Sequence, residues 1–225
     1  MKLNADLTLR ATANINQLEW ETSPASGVRR LRLERDDDQP PVERVTTVVN
    51  FAPGSAFPGH VHPGGEEFYV LEGTFSDQHA DYPAGYYVRN PKGTGHAPHS
   101  DEGCTILVKL WQMDPADRQR VAIDTRDESL WQRHEGYARL PLFDADYEQV
   151  DLLRLEAGFE GRFVYDGGVE YFVLEGAFDD VQGRYPAGSW LRLPAGSSQA
   201  IRVTEPCCVW RKQGHLLNPV SYLES

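Results

Sequence analysis

Cysteine is scarce in this chain of 225 residues: there are three, Cys104 and the adjacent pair Cys207 and Cys208. The number is odd and the spacing is neither that of a disulfide framework nor that of a CxxC site, so a reducing, cytoplasmic setting is the expectation. Positive charge is also scarce. Lys plus Arg total 22 against 34 Asp plus Glu, a formal net charge of −12, and no Lys/Arg-rich run stands out to neutralise phosphates or anionic headgroups. Direct nucleic-acid binding is therefore disfavoured. Long apolar runs are missing: polar residues interrupt the start MKLNADLTLRATANINQLEW, and nothing approaches the roughly 20 residues needed to span a bilayer. The reading is a soluble protein with no secretory signal and no membrane partner.

What the chain does contain is repetition. EEFYVLEGTFSD at 66–77 returns as VEYFVLEGAFDD at 169–180, an offset of 103 residues from Gly73 to Gly176. The same offset carries YPAG at 82–85 onto 185–188, VRNPKG at 88–93 onto LRLPAG at 191–196, and Cys104 onto Cys207. Unrelated segments would not hold one register so long, so the chain is a tandem duplication. Each copy carries short runs rich in Val, Leu, Phe, Tyr and Trp, such as RVTTVVNF and CTILVKLW, separated by Gly/Pro/Asp turns. That pattern predicts an all-β chain of two small jelly rolls. Domains are expected at about 1–113 and 135–225, with the charged stretch 114–134 as a linker holding a helical turn. The first 26 residues have no evident counterpart in the second copy, and RDDDQPP at 35–41 reads as an exposed loop.

GHVHPGGEE at 59–67 places His60 and His62 two residues apart, on one face of a strand. Glu66 follows the PGG turn and can face them, and His96 comes after another strand and a glycine-rich turn. Three imidazoles and one carboxylate suit one divalent ion, and the ligand types leave zinc, iron, manganese and nickel open.

The spacing resembles the cupin superfamily. Its first motif, G-x5-H-x-H-x3-E-x6-G, fits Gly54, His60, His62, Glu66 and Gly73; its second, G-x5-P-x-G-x2-H-x3-N, fits Gly85, Pro91, Gly93 and His96, with Ser100 in place of Asn. HPGGEE, VLEGTFSDQHADYPAGYYVRNP and HAPHSDEGCTILVKL are similar to the cupin-like domain of ChrR-type anti-sigma factors, over roughly residues 27–112. The resemblance implies a β-barrel holding one metal through His60, His62, Glu66 and His96, with zinc the usual ion. It also implies a helical sigma-binding zinc domain with an H-x3-C-x2-C pattern, which this sequence does not contain.

In the second copy the offset puts Phe163, Tyr165, Val169 and Gln199 at the four ligand positions, so a conventional core without metal is expected there. Around the site, Cys104 is either a small buried hydrophobe or a redox-sensitive thiol. His79 and His99 are either loop residues or partners of the ligands, and Tyr87, Arg89 and Trp111 either shape a pocket mouth or point outward. Two functions compete. One is a metal-binding sensor or transcription-regulatory module with a protein partner or a small-molecule ligand. The other is a mononuclear cupin dioxygenase acting on a small diketone or hydroxy-ketone-like substrate. A homodimer through sheet edges is compatible with either.

Overall fold

The computed structural model describes residues 1–39 and 42–217. Among them the helical segments are two 3₁₀ turns, Ile15–Gln17 and Glu128–Leu130, and the rest is strand and turn, as the alternating pattern predicts. No helix is long and apolar enough to cross a membrane.

Among the described residues the chain divides into two compact units, one built from Met1–Ala5 and Glu19–Arg126, the other from Asp6–Leu18 and residues 127–217. In the first unit the main sheet runs Lys2–Leu3, Val28–Gln39, Val42–Phe51, Cys104–Leu110, Glu66–Ser76, Tyr86–Asn90, Val121–Asp124 in space, with neighbours antiparallel. The short strands Ser55–Ala56, Asp81–Pro83 and His99–Ser100, and the pair His60–Val61 with Gly95–His96, complete the wall. Alternation sends Phe68 and Val70, and Cys104, Ile106 and Val108, into one core with Phe51 and Phe75. Each large apolar side chain buried there contributes about 1.5–3 kcal/mol, so the barrel does not depend on an ion for its core.

The second unit has a seven-stranded sheet, Gln132–His134, Tyr137–Ala145, Glu148–Leu155, Cys207–Gln213, Val169–Glu175, Ser189–Leu193, Ala11–Asn14, and a four-stranded one, Glu160–Tyr165, Ser197–Arg202, Ala177–Asp180, Gly183–Pro186.

Three expectations change. Residues 35–39, read as loop, extend the Val28–Gln39 strand: Arg35 and Asp36 pair with Val45 and Arg44, and Gln39 pairs with Val42 past a register shift, so the backbone ladder continues despite the charged sequence; Pro40 and Pro41 lie outside the described residues. The stretch 114–134 is more than a linker, since Val121–Asp124 and Gln132–His134 are ladder strands. The amino-terminal arm does have a counterpart. Val121 and Asp124 pair with Arg89 and Tyr86, while Ala11 and Asn14 pair with Arg192 and Ser189, the residues 103 positions on. The two edge strands, VAID and ATAN, are therefore structurally equivalent, though four residues are too few to reveal it by sequence.

Candidate metal centre

The two-residue strand His60–Val61 pairs antiparallel with Gly95–His96, setting His60 directly opposite His96. The His62 amide donates to the Thr94 carbonyl at 2.7 Å, which carries His62 along the same ladder. The turn that follows needs both its glycines: Gly65 has φ +76°, and a Cβ on Gly64 would lie 2.3 Å from the Trp111 ring. Past that turn Glu66 opens its strand, opposite Leu110 on one side and Asn90 on the other.

The four residues named from spacing are thereby brought together. One nitrogen from each of His60, His62 and His96 can be chosen so that all lie within 4.8 Å of one another. The Glu66 Oε2 atom is 3.5 Å from Nε2 of both His62 and His96. Ligand atoms about 2.0–2.2 Å from a shared tetrahedral ion are about 3.3–3.6 Å apart, so this separation suits a common ion.

Tautomers and orphaned atoms agree with that geometry. His60 Nδ1 lies 2.8 Å from the Pro58 carbonyl and His96 Nδ1 lies 3.2 Å from Asp77 Oδ2. Those acceptors hold the Nδ1–H and leave Nε2 with a free lone pair. Nε2 of His62 and of His96 is buried without a hydrogen-bond partner among the described residues, a cost normally avoided unless something else fills the role. Burial, with the neighbouring imidazoles, pushes the His62 pKa down to about 3. Burial likewise raises Glu66 to about 7 against the opposing hydrogen bond from Asn90. Burial thus disfavours the charged form of both His62 and Glu66, and a divalent ion would favour the ionised carboxylate.

Sequence reasoning missed two contributors. Asn90 Nδ2 donates to Glu66 Oε2 at 3.1 Å and orients the carboxylate. Asp77 is fixed through its other oxygen by the backbone amides of His79 at 2.7 Å and Ala80 at 3.1 Å, and so holds His96 in place. A signal for Asp77 was available: the offset carries it onto Asp180, which accepts from Gln199 Nε2 at 3.0 Å in the second copy.

The other flagged residues are resolved by direction. His79 reaches Asp77 with its backbone rather than its ring, and His99 is a half-buried strand residue opposite Ala56. Tyr87 and Arg89 face away from the barrel interior, with Tyr87 Oη donating to Glu67 at 2.8 Å and Arg89 bonded to Asp117 at 2.9 Å. Trp111 packs on the Gly64 backbone and braces the ligand turn. Cys104 is a core residue whose thiol burial pushes up to about 11.

At the equivalent place in the second copy, Phe163 stands opposite Gln199 as His60 stands opposite His96. Phe163 stacks on Tyr165 with ring centroids 6.0 Å apart, Tyr165 and Tyr171 share a hydroxyl–hydroxyl bond, and Val169 is buried in the same core. Aromatic packing fills the space where the first copy gathers imidazoles.

A cavity of about 280 Å³ in the first barrel is bordered by His60, Glu66 and His96 and elsewhere by mostly apolar residues, with Arg30, Arg35, Glu43 and Thr47 among them.

The sequence profile of the family described as the ChrR cupin-like domain matches residues 8–114 and again 118–217. Comparison with curated proteins finds no match. Among solved structures the chain is similar to a protein from Nostoc punctiforme described as a provisional dioxygenase (TM-score 0.77, 16% identity, 97% of this chain and 88% of that one). It is also similar to a bacterial pirin from Escherichia coli in complex with nickel(II) (TM-score 0.67, 14% identity, 94% and 100%). A third is the Bacillus subtilis oxalate decarboxylase with Mn(II) centres (TM-score 0.63, 12% identity, 94% and 79%). At these identities the likeness is one of fold: both copies are cupin barrels.

Proposed function

Because the chain belongs to the ChrR cupin-like domain family, we propose that it is a metal-dependent cupin in which His60, His62, Glu66 and His96 hold one divalent ion. A small organic molecule binds beside that ion. The observation that carries this reading is the cavity, since three of the four proposed ligands border a largely apolar chamber of about 280 Å³. A structural ion would sit in a closed shell, usually of thiolates.

The reaction class that fits is oxidation of a small diketone or hydroxy-ketone-like substrate by O₂. Bound iron or manganese would supply coordination positions for both reactants and offset developing negative charge. The chain's own residues supply the rest. Pro58 and Asp77 fix the imidazoles, Asn90 aims the carboxylate, and Phe57 and Phe75 line the chamber and limit water beside the ligands.

A second reading, a zinc-binding sensor or transcription-regulatory module with a protein partner, is favoured by the family relationship with ChrR. Elemental analysis of untagged protein from its native host separates the two. One iron or manganese per chain, with O₂ uptake on adding a diketone or hydroxy-ketone, supports the enzyme. One zinc and no uptake supports the sensor, and a chain with no metal rejects both.

A further inference from the structure

The cavity beside the ligand cluster has one wall that the metal reading leaves unused. Val28 and Arg30 are two residues apart on the Val28–Gln39 strand, and Val28 belongs to the barrel core, so Arg30 shares the inward face. Register agrees: Arg30 is opposite Val49, and both border the cavity.

The neighbouring inward arginines are neutralised. Arg32 pairs with Glu21, and Arg35 pairs with Asp37 at 3.0 Å and Glu43 at 3.1 Å. Arg30 is different. Its Nη2 donates to the Ser23 hydroxyl at 3.1 Å, and among the described residues no carboxylate lies within 4.0 Å of its guanidinium. Burial, with the nearby Arg32 and Arg35, depresses its pKa from the ordinary value against the more weakly opposing charges of Glu21 and Glu43. A partly desolvated guanidinium is stabilised by an anion, and its planar fork matches a carboxylate bidentately.

Phe57, Phe75, Ile106 and Val108 form the apolar part of the lining. Of the polar residues that also border the cavity, Arg35 and Glu43 are paired with each other and the Thr47 hydroxyl donates to the Leu31 carbonyl. At about 30 Å³ per water, the chamber has room for about nine waters, or a ligand of roughly ten non-hydrogen atoms. Resting on the reading of the site as a small-molecule-binding metal centre, we infer that its ligand is a small organic carboxylate. The apolar body lies against the barrel wall, the carboxylate sits on Arg30, and the remaining end faces His60, Glu66 and His96. Among diketone-like and hydroxy-ketone-like candidates, this selects those that carry an acid group.

The test uses the full chain and two probes of nearly equal size, benzoate and its neutral analogue benzamide, titrated calorimetrically, with metal content measured on every sample. Benzoate is expected to bind at least tenfold more tightly than benzamide. Arg30→Gln should remove that preference, and Arg30→Lys should keep part of it. Equal binding of the two probes, benzoate binding that Arg30→Gln leaves unchanged, or no benzoate binding overturns the inference. If Arg30→Gln fails to fold, the probe comparison on the unaltered chain and on Arg30→Lys still decides. A chain free of metal that binds benzoate through Arg30 rejects the metal reading and supports the anion site. A metal-loaded chain indifferent to benzoate does the reverse.

Discussion

Asp77 Oδ2 lies 3.2 Å from Nδ1 of His96, and this one contact decides which imidazole nitrogen is turned toward Glu66. Replacing the carboxylate by Asp77→Asn keeps the shape and weakens the acceptor. Metal affinity should fall about 10–100-fold with little change in melting temperature, as read by chelator competition and a thermal melt. Unchanged affinity would mean that His96 is oriented by its ladder alone.

His62→Ala removes one ligand and should lower metal content, while the apolar core holds the fold. A full equivalent of metal in this variant rejects the assignment. Tyr165→Ala, at the matching place in the second copy, removes a buried ring and its bond to Tyr171. It should cost about 3–5 kcal/mol and leave metal content as it was; metal loss from a folded variant would contradict a metal-free second barrel.

Gly64→Ala tests the brace under the ligand turn. Its Cβ would meet the Trp111 ring at 2.3 Å, and Trp111 already occupies φ +58°, so neither can yield cheaply. A loss of about 1–3 kcal/mol is expected from the overpacking, together with weaker metal binding, because the turn sets the distance from His62 to Glu66. Wild-type stability and affinity would show that the ring moves freely.

Thiol chemistry follows from burial. The Cys104 pKa is raised from 9.0 to about 11, and those of Cys207 and Cys208 to about 12. A raised thiol pKa favours the unreactive protonated form, so near pH 8 Cys104 has about a hundredfold less thiolate than an ordinary thiol. Alkylation should be slow at that pH, rise about tenfold per pH unit toward pH 11, and become fast in denaturant. Rapid modification of Cys104 at neutral pH with release of metal would restore the redox-sensing reading.

The arm tests the second unit separately. Deleting Asp6–Leu18 strips the Ser189–Leu193 strand of its edge partner, so the second unit should lose hydrogen-exchange protection while metal content stays constant. Loss of protection in the first unit instead would place the arm wrongly.

The sequence by itself determined the all-β class, the duplication and the four residues that converge. Alternation with period two and an offset of 103 residues are local facts, and H-x-H on a strand leaves its imidazoles little choice of side. It also showed that the second copy had lost all four positions, since Phe163, Tyr165, Val169 and Gln199 occupy them. Tertiary structure decided the rest. Asp77, just past the end of the Glu66–Ser76 strand, acts on His96, and Asn90, on the Tyr86–Asn90 strand, acts on Glu66. Tyr87 and Arg89, for which the sequence left a pocket mouth and an outward orientation open, face away from the barrel interior onto Glu67 and Asp117. The arm joins the second unit because a four-residue edge strand carries too little pattern to name its partner, and only backbone pairing does so. Arg30 differs from Arg32 and Arg35 in no way that a sequence can display. Which of three arginines lacks a carboxylate depends on where Glu21, Asp37 and Glu43 fall in space, and that is fixed by the folded chain.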